Sequence, residues 1–186
     1  MEKYWNRAIS FEEYLKEAER RIALQSSEDE HNEYYQLGLQ RMNRALKTFN
    51  INETQLATLQ AKNFSGKILI ISEPWCGDAS ATVPAVVKFF EAGGYEVKIF
   101  LRDSDASLID QFLTDGARSI PKVVILNKDF SVKNSWGPRP KQGLALFTKF
   151  KENPETYPRE EFYNDLQIYY AKNRGADAIE EILELL

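Results

Sequence analysis

The chain has 186 residues, 43% hydrophobic and 28% charged, a length that points to one domain, or one domain with an appendage, able to bury a core without disulfides or metals. Its 24 Lys+Arg against 28 Asp+Glu leave a net charge of −4 with no long block of like charge, which argues against a nucleic-acid stripe or a polybasic membrane tether. One cysteine excludes an internal disulfide, and one histidine leaves no Cys/His metal cluster.

Residues 1–64 read as a helical N-terminal extension. Phe11, Tyr14, Leu15, Ala18 and Ile22 recur at helical spacing behind a Ser10/Glu13 capping box. After a polar break at Ser26-Ser27-Glu28-Asp29, a second helix carries Tyr35, Leu39, Met42, Leu46 and Phe49 on one stripe. Asn52 and Gln55 cap a short third helix with Leu56 and Leu59. These stripes read as packing surface, with pairing to a second subunit as the alternative.

At Gly66 the period changes. Lys67-Ile68-Leu69-Ile70-Ile71-Ser72 is a continuous apolar run, as expected of a strand covered on both faces. A helix over 77–91 ends at Gly93-Gly94, a strand alternates over 95–101, and Leu108, Ile109 and Phe112 mark a helix that stops near Gly116. Two strands follow at 122–126 and 130–136, joined by the hairpin turn Asn127-Lys128-Asp129. Helices are predicted at about 139–151, at 158–172 with Pro158 in the first turn, and at 176–186. The order predicts an α/β sandwich with a mixed sheet over 65–151, and C-terminal helices over 152–186 packed on it.

The chemistry concentrates in Glu73-Pro74-Trp75-Cys76-Gly77-Asp78-Ala79-Ser80, just past the first strand where a helix begins. Sites of open α/β sheets sit there. A thiol at a helix start faces free backbone N–H groups and the positive end of the dipole, which favour the thiolate. Gly77 leaves room beside the sulfur and Trp75 offers a flat apolar wall. Asp78 either caps the helix or, by its charge, makes the thiol less acidic; capping is the preferred reading. Arg139 is read as solvent-facing at a helix start, with a place near the thiolate as the alternative. Nothing in the sequence brings His31 near Cys76. Glu28-Asp29-Glu30 reads as a solvated first helix turn, and Trp5 and Tyr34-Tyr35 as core or packing contacts.

Trp75-Cys76-Gly77-Asp78-Ala79 resembles the thioredoxin motif Trp-Cys-Gly-x-Cys, with Ala79 in place of the second cysteine. Pro84 matches the proline inside the active-site helix, and Ile120-Pro121, directly before a strand, matches the cis-proline turn facing the active-site cysteine. Trp136-Gly137-Pro138-Arg139-Pro140 is similar to a bacterial thioredoxin-like family with a helical N-terminal extension. The resemblance runs from Lys67 to about Lys151 and implies a thioredoxin-like fold. It also implies a partner groove lined by Trp75, Gly77, Asp78, Ile120, Pro121, Trp136 and Gly137, with Ile120 offering its backbone to an extended segment.

Two departures bear on activity. Ala79 removes the resolving thiol, so a self-contained dithiol cycle is excluded. Ile70 stands where thioredoxins bury an aspartate. The leading expectation is therefore a monothiol thiol-disulfide exchange protein of cell redox homeostasis: Cys76 attacks a protein disulfide, and an external thiol such as glutathione resolves the product. The second is a non-catalytic binding module, which a buried, unreactive thiol would favour. A third is a glutathione-linked iron–sulfur carrier, which would require a dimer; the leading reading needs no cofactor. No apolar run is long enough for a membrane span, and the first residues lack a signal-peptide layout, so a cytoplasmic protein without membrane or nucleic-acid partners is expected.

Overall fold

The computed structural model describes residues 1–24, 29 and 31–186. Of the polar break, Ser26, Ser27 and Glu28 lie outside the described residues, as does Glu30. Among the described residues no helix is long and apolar enough to cross a membrane.

The sheet is mixed, with order β2-β1-β3-β4. Strand β1 (Lys67–Ser72) pairs in parallel with β2 (Val97–Leu101) and antiparallel with β3 (Lys122–Leu126), which pairs antiparallel with β4 (Val132–Trp136) across a bulge at Ile125/Leu126. Ile68 to Ile71 are fully buried, because a central strand with helices on both sides has no solvent face. The outer edge of β2 is extended by one bridge, in which Ile9 and Ile99 exchange both backbone hydrogen bonds at 2.8 Å.

Among the described residues, four helices precede the sheet: α1 (Glu2–Trp5), α2 (Phe11–Leu24), α3 (Asn32–Thr48) and α4 (Glu53–Ala61). The Ser10/Glu13 capping box forms as the sequence indicates: the Glu13 carboxylate accepts from Ser10 N–H and the Glu13 N–H donates to Ser10 Oγ. Asn52 accepts from the N–H groups of Thr54 and Gln55, whereas the Gln55 side chain donates to the Ala176 carbonyl instead of capping.

Helix α5 (Gly77–Ala92) contains Pro84 and packs on β1 and β2; α3, α8 (Arg159–Asn173) and α9 (Ala176–Glu184) pack on α5. The segment after β2 forms only a short 3-10 turn and α6 (Ala106–Ile109), shorter than its apolar spacing suggests. The stretch 105–121 bonds instead through the Asp105 cap and a Thr114/Ala117 bridge. Helix α7 (Lys141–Glu152) and α8 enclose a small aromatic cluster of their own, Tyr157, Phe162, Leu166 and Tyr170, on which Phe147 and Phe150 pack. Helix α9 carries Ala178, Ile179, Ile182 and Leu183 into the main core.

Candidate functional site

Strand β1 delivers Glu73-Pro74-Trp75 to the start of α5, and Cys76 is the residue that begins the helix. Its backbone N–H closes a turn on the Glu73 carbonyl at 3.0 Å, and its own carbonyl accepts from Ser80 N–H. The N–H groups of Asp78 and Ala79, in the first turn of α5, favour the ionised sulfur, as expected where a helix leaves its first donors unpaired, but the Cys76 side chain accepts no capping hydrogen bond. Across from the sulfur, the Ile120–Pro121 peptide is cis, and Cys76 Sγ–H donates to the Ile120 carbonyl at 3.3 Å. A second cis bond, Gly137–Pro138, brings Gly137 onto the same loop: at φ +111 its Cα packs so closely on the Pro121 carbonyl that a Cβ would collide with it.

The surroundings of the thiol favour its protonated form. Cys76 is only 7% exposed, and burial, followed by the negative charge of Asp78, pushes its pKa up to about 12. The helix N–H groups and Arg139 pull the other way and lose.

Asp78 makes no helix cap. Its carboxylate is buried and accepts from Arg139 Nη2 at 2.6 Å and from the Tyr170 hydroxyl at 2.8 Å. Arg139 is correspondingly not in solvent: it lies over the Phe147 ring, and its Nε is buried without a hydrogen-bond partner. The capping and solvent-facing readings thus give way to a buried ion pair, because α8 supplies Tyr170 and closes over the first turn of α5.

Trp75 is half-buried. His31 stacks on its indole at 4.1 Å between centroids, Arg102 covers it at 4.8 Å, and its ring N–H donates to Asp103 at 3.2 Å. The lone histidine, which nothing in the sequence placed near the site, therefore sits on it. Helix α3 brings it there and approaches the same loop twice more. A Cβ on Gly38 would come within 2.5 Å of the Pro74 carbonyl oxygen, and Arg41 lies against Gly77. The N-terminal extension thus roofs the segment leading to Cys76. Trp136 faces inward, 6% exposed, with its N–H bonded to Glu181 of α9 at 2.7 Å. Ile70 is core.

One site residue escaped the sequence analysis. Glu73 is fully buried; Oε1 accepts from Asp103 N–H at 2.7 Å, while among the described residues Oε2 has no hydrogen bond and lies 3.7 Å from the Arg21 guanidinium. Burial raises its pKa to about 7. A carboxylate directly after a fully apolar strand was the available signal. Below it, the buried Tyr14 hydroxyl hydrogen-bonds Ser72 Oγ at 2.8 Å. Of the acidic run, Asp29 accepts from His31 N–H and the Tyr35 hydroxyl. Tyr35 and Trp5 are core, and Tyr34 is exposed. Among the described residues no cluster of His, Cys, Asp and Glu is arranged to hold a metal ion.

Comparison with known proteins follows the same lines. The thioredoxin family model matches residues 24–151, so the match begins at the end of α2 and takes in α3 and α4. Two solved structures share the fold. One is an HIV epitope-scaffold (4E10), with a TM-score of 0.65 and 15% identity, covering 98% of this chain and 94% of that chain. The other is a protein of unknown function from Pseudomonas aeruginosa, with a TM-score of 0.61 and 16% identity, covering 96% of this chain and 91% of that chain. A search of curated proteins finds no significant match. The chain belongs to the thioredoxin family.

Proposed function

We propose that this member of the thioredoxin family is a binding module built on the thioredoxin fold, with Cys76 a covered, protonated thiol that packs the site together instead of attacking disulfides. The observation that carries the reading is the Cys76 thiol, 7% exposed, with its pKa raised to about 12 and its S–H spent on the Ile120 carbonyl. A thiolate is the attacking species in exchange, and the surroundings of Cys76 disfavour it. The absence of a resolving thiol at Ala79 supports the same view. The test compares wild type with Cys76→Ser on a glutathionylated peptide, following release of glutathione. Both proteins give the buffer rate; wild-type turnover that the serine variant loses would overturn the proposal.

A second reading is favoured by one specific arrangement. First-turn N–H groups of Asp78 and Ala79 that favour the ionised sulfur, opposite the cis Ile120–Pro121 peptide, are the parts a monothiol exchange site needs. In that reading the substrate is a protein disulfide or a glutathione mixed disulfide in a reducing, cytoplasmic setting. Trp75, Gly77, Ile120, Pro121 and Gly137 then form the groove, Asp78 and Trp136 being turned inward to Arg139, Tyr170 and Glu181, and attack requires α3 to move off the Pro74–Gly77 loop.

A further inference from the structure

Helices α3 and α8 face each other across α5, and both carry arginine on the facing stripe. On α3 the positions Arg41, Arg44, Ala45 and Thr48 fall on one side of the helix; on α8 and its C-cap the positions are Gln167, Tyr170, Ala171 and Arg174. With Ala81 of α5 as floor they enclose a cavity of about 300 Å³, the lower end of the range for small-molecule sites. Its lining holds three guanidinium groups and not one carboxylate.

The charges in this region do not balance internally. Asp78, the carboxylate whose charge reaches Arg41, is already committed to Arg139 and Tyr170. The backbones of Arg44 and Arg174 are hydrogen-bonded, but among the described residues the guanidinium groups of Arg41, Arg44 and Arg174 make no ion pair and no hydrogen bond. Arg41 is in addition half-buried, so burial works against its charge and only the distant pull of Asp78 favours it. Three unpaired cations around an open concavity, with the Gln167 amide also in its lining, have the donor set for a polyvalent oxyanion: guanidinium forks match phosphate and carboxylate bidentately.

We infer that the cavity between α3 and α8 is a binding site for a small polyvalent oxyanion, of the class of phosphate esters and polycarboxylates, held by Arg41, Arg44 and Arg174. The ligand neutralises the surplus charge and ties α3 to α8, the helices that roof the Cys76 loop and hold Asp78. The inference is independent of whether Cys76 reacts.

The test titrates full-length protein with pyrophosphate and, separately, citrate. It follows heat by calorimetry and the arginine Nε–H resonances by NMR, in wild type and in an Arg44→Gln/Arg174→Gln variant. Arg44 and Arg174 are exposed, and circular dichroism and the melting temperature report whether the variant is folded. The expected result is one-to-one saturation by at least one of the two anions, with shifts in three arginine side chains. In the variant the affinity falls about 100-fold, roughly tenfold for each charge-assisted contact removed. A folded variant that binds as tightly as wild type, or the absence of saturable binding of either anion to the wild type, would overturn the inference.

Discussion

Replacing Glu73 by glutamine isolates the buried carboxyl beneath the Cys76 loop. In the folded protein burial raises this group from 4.5 to about 7, with the Asp103 N–H and Arg21 opposing. A carboxyl whose folded pKa lies above its unfolded value binds its proton more tightly when folded. The stabilisation is complete below about pH 4.5 and is lost as the pH rises through 7. At 1.36 kcal/mol per pKa unit the loss amounts to about 3 kcal/mol. Glutamine keeps an acceptor for the Asp103 N–H and cannot ionise, so the variant lacks this component. Urea unfolding at pH 5 and pH 8 gives both free energies. Because the unfolded carboxyl is already largely ionised at pH 5, wild type should lose about 2.5 kcal/mol more than Glu73→Gln between the two pH values. Parallel profiles would show that Glu73 is solvated or fully paired, and the assignment of a strained buried carboxyl would be wrong.

Tyr170→Phe removes a hydroxyl that donates to the buried Asp78 carboxylate; it should cost about 1.5–3 kcal/mol in the same unfolding assay, the range for hydrogen bonds to charged groups. Gly38→Ala places a methyl against the Pro74 carbonyl. The protein should be less stable despite alanine's helix preference of about 1 kcal/mol, and Cys76 alkylation should quicken as α3 is pushed off the loop; a more stable variant would show that α3 does not press on it. Ala79→Cys restores the second thiol one turn into α5. Mild oxidation should leave no free thiol by titration; two free thiols after oxidation would argue against a thioredoxin-like geometry at this helix start.

The sheet was legible because its strands are short apolar runs with only one way to bury them: Lys67–Ser72 and Lys122–Leu126 fall where the pattern put them. The Ile120–Pro121 and Pro84 landmarks carried the fold for the same local reason. What did not follow from local pattern were the long-range charge contacts. Asp78 could be read as a cap, because a carboxylate in a first helix turn is stabilised by the helix start alone. Its actual partners, Arg139 and Tyr170, lie far along the chain. His31 reaches Trp75 only through the path of α3 over α5, which no periodicity encodes. The arginines of the α3–α8 cavity were likewise spread over two helices whose apposition the sequence does not state. Trp136 belongs with these: it is drawn inward by Glu181 of the last helix.

The state of Cys76 is tested most directly by the pH dependence of its alkylation by iodoacetamide in the native protein between pH 6 and 10. With the pKa raised to about 12, about one thiol in 10⁴ is ionised at pH 8. The rate should be about three orders of magnitude below that of a free thiol of pKa about 8.5, and should climb about tenfold per pH unit without a plateau. A plateau with an inflection below about 8.5, and a rate at or above that of a free thiol, would contradict the covered-thiol account and establish Cys76 as an activated nucleophile.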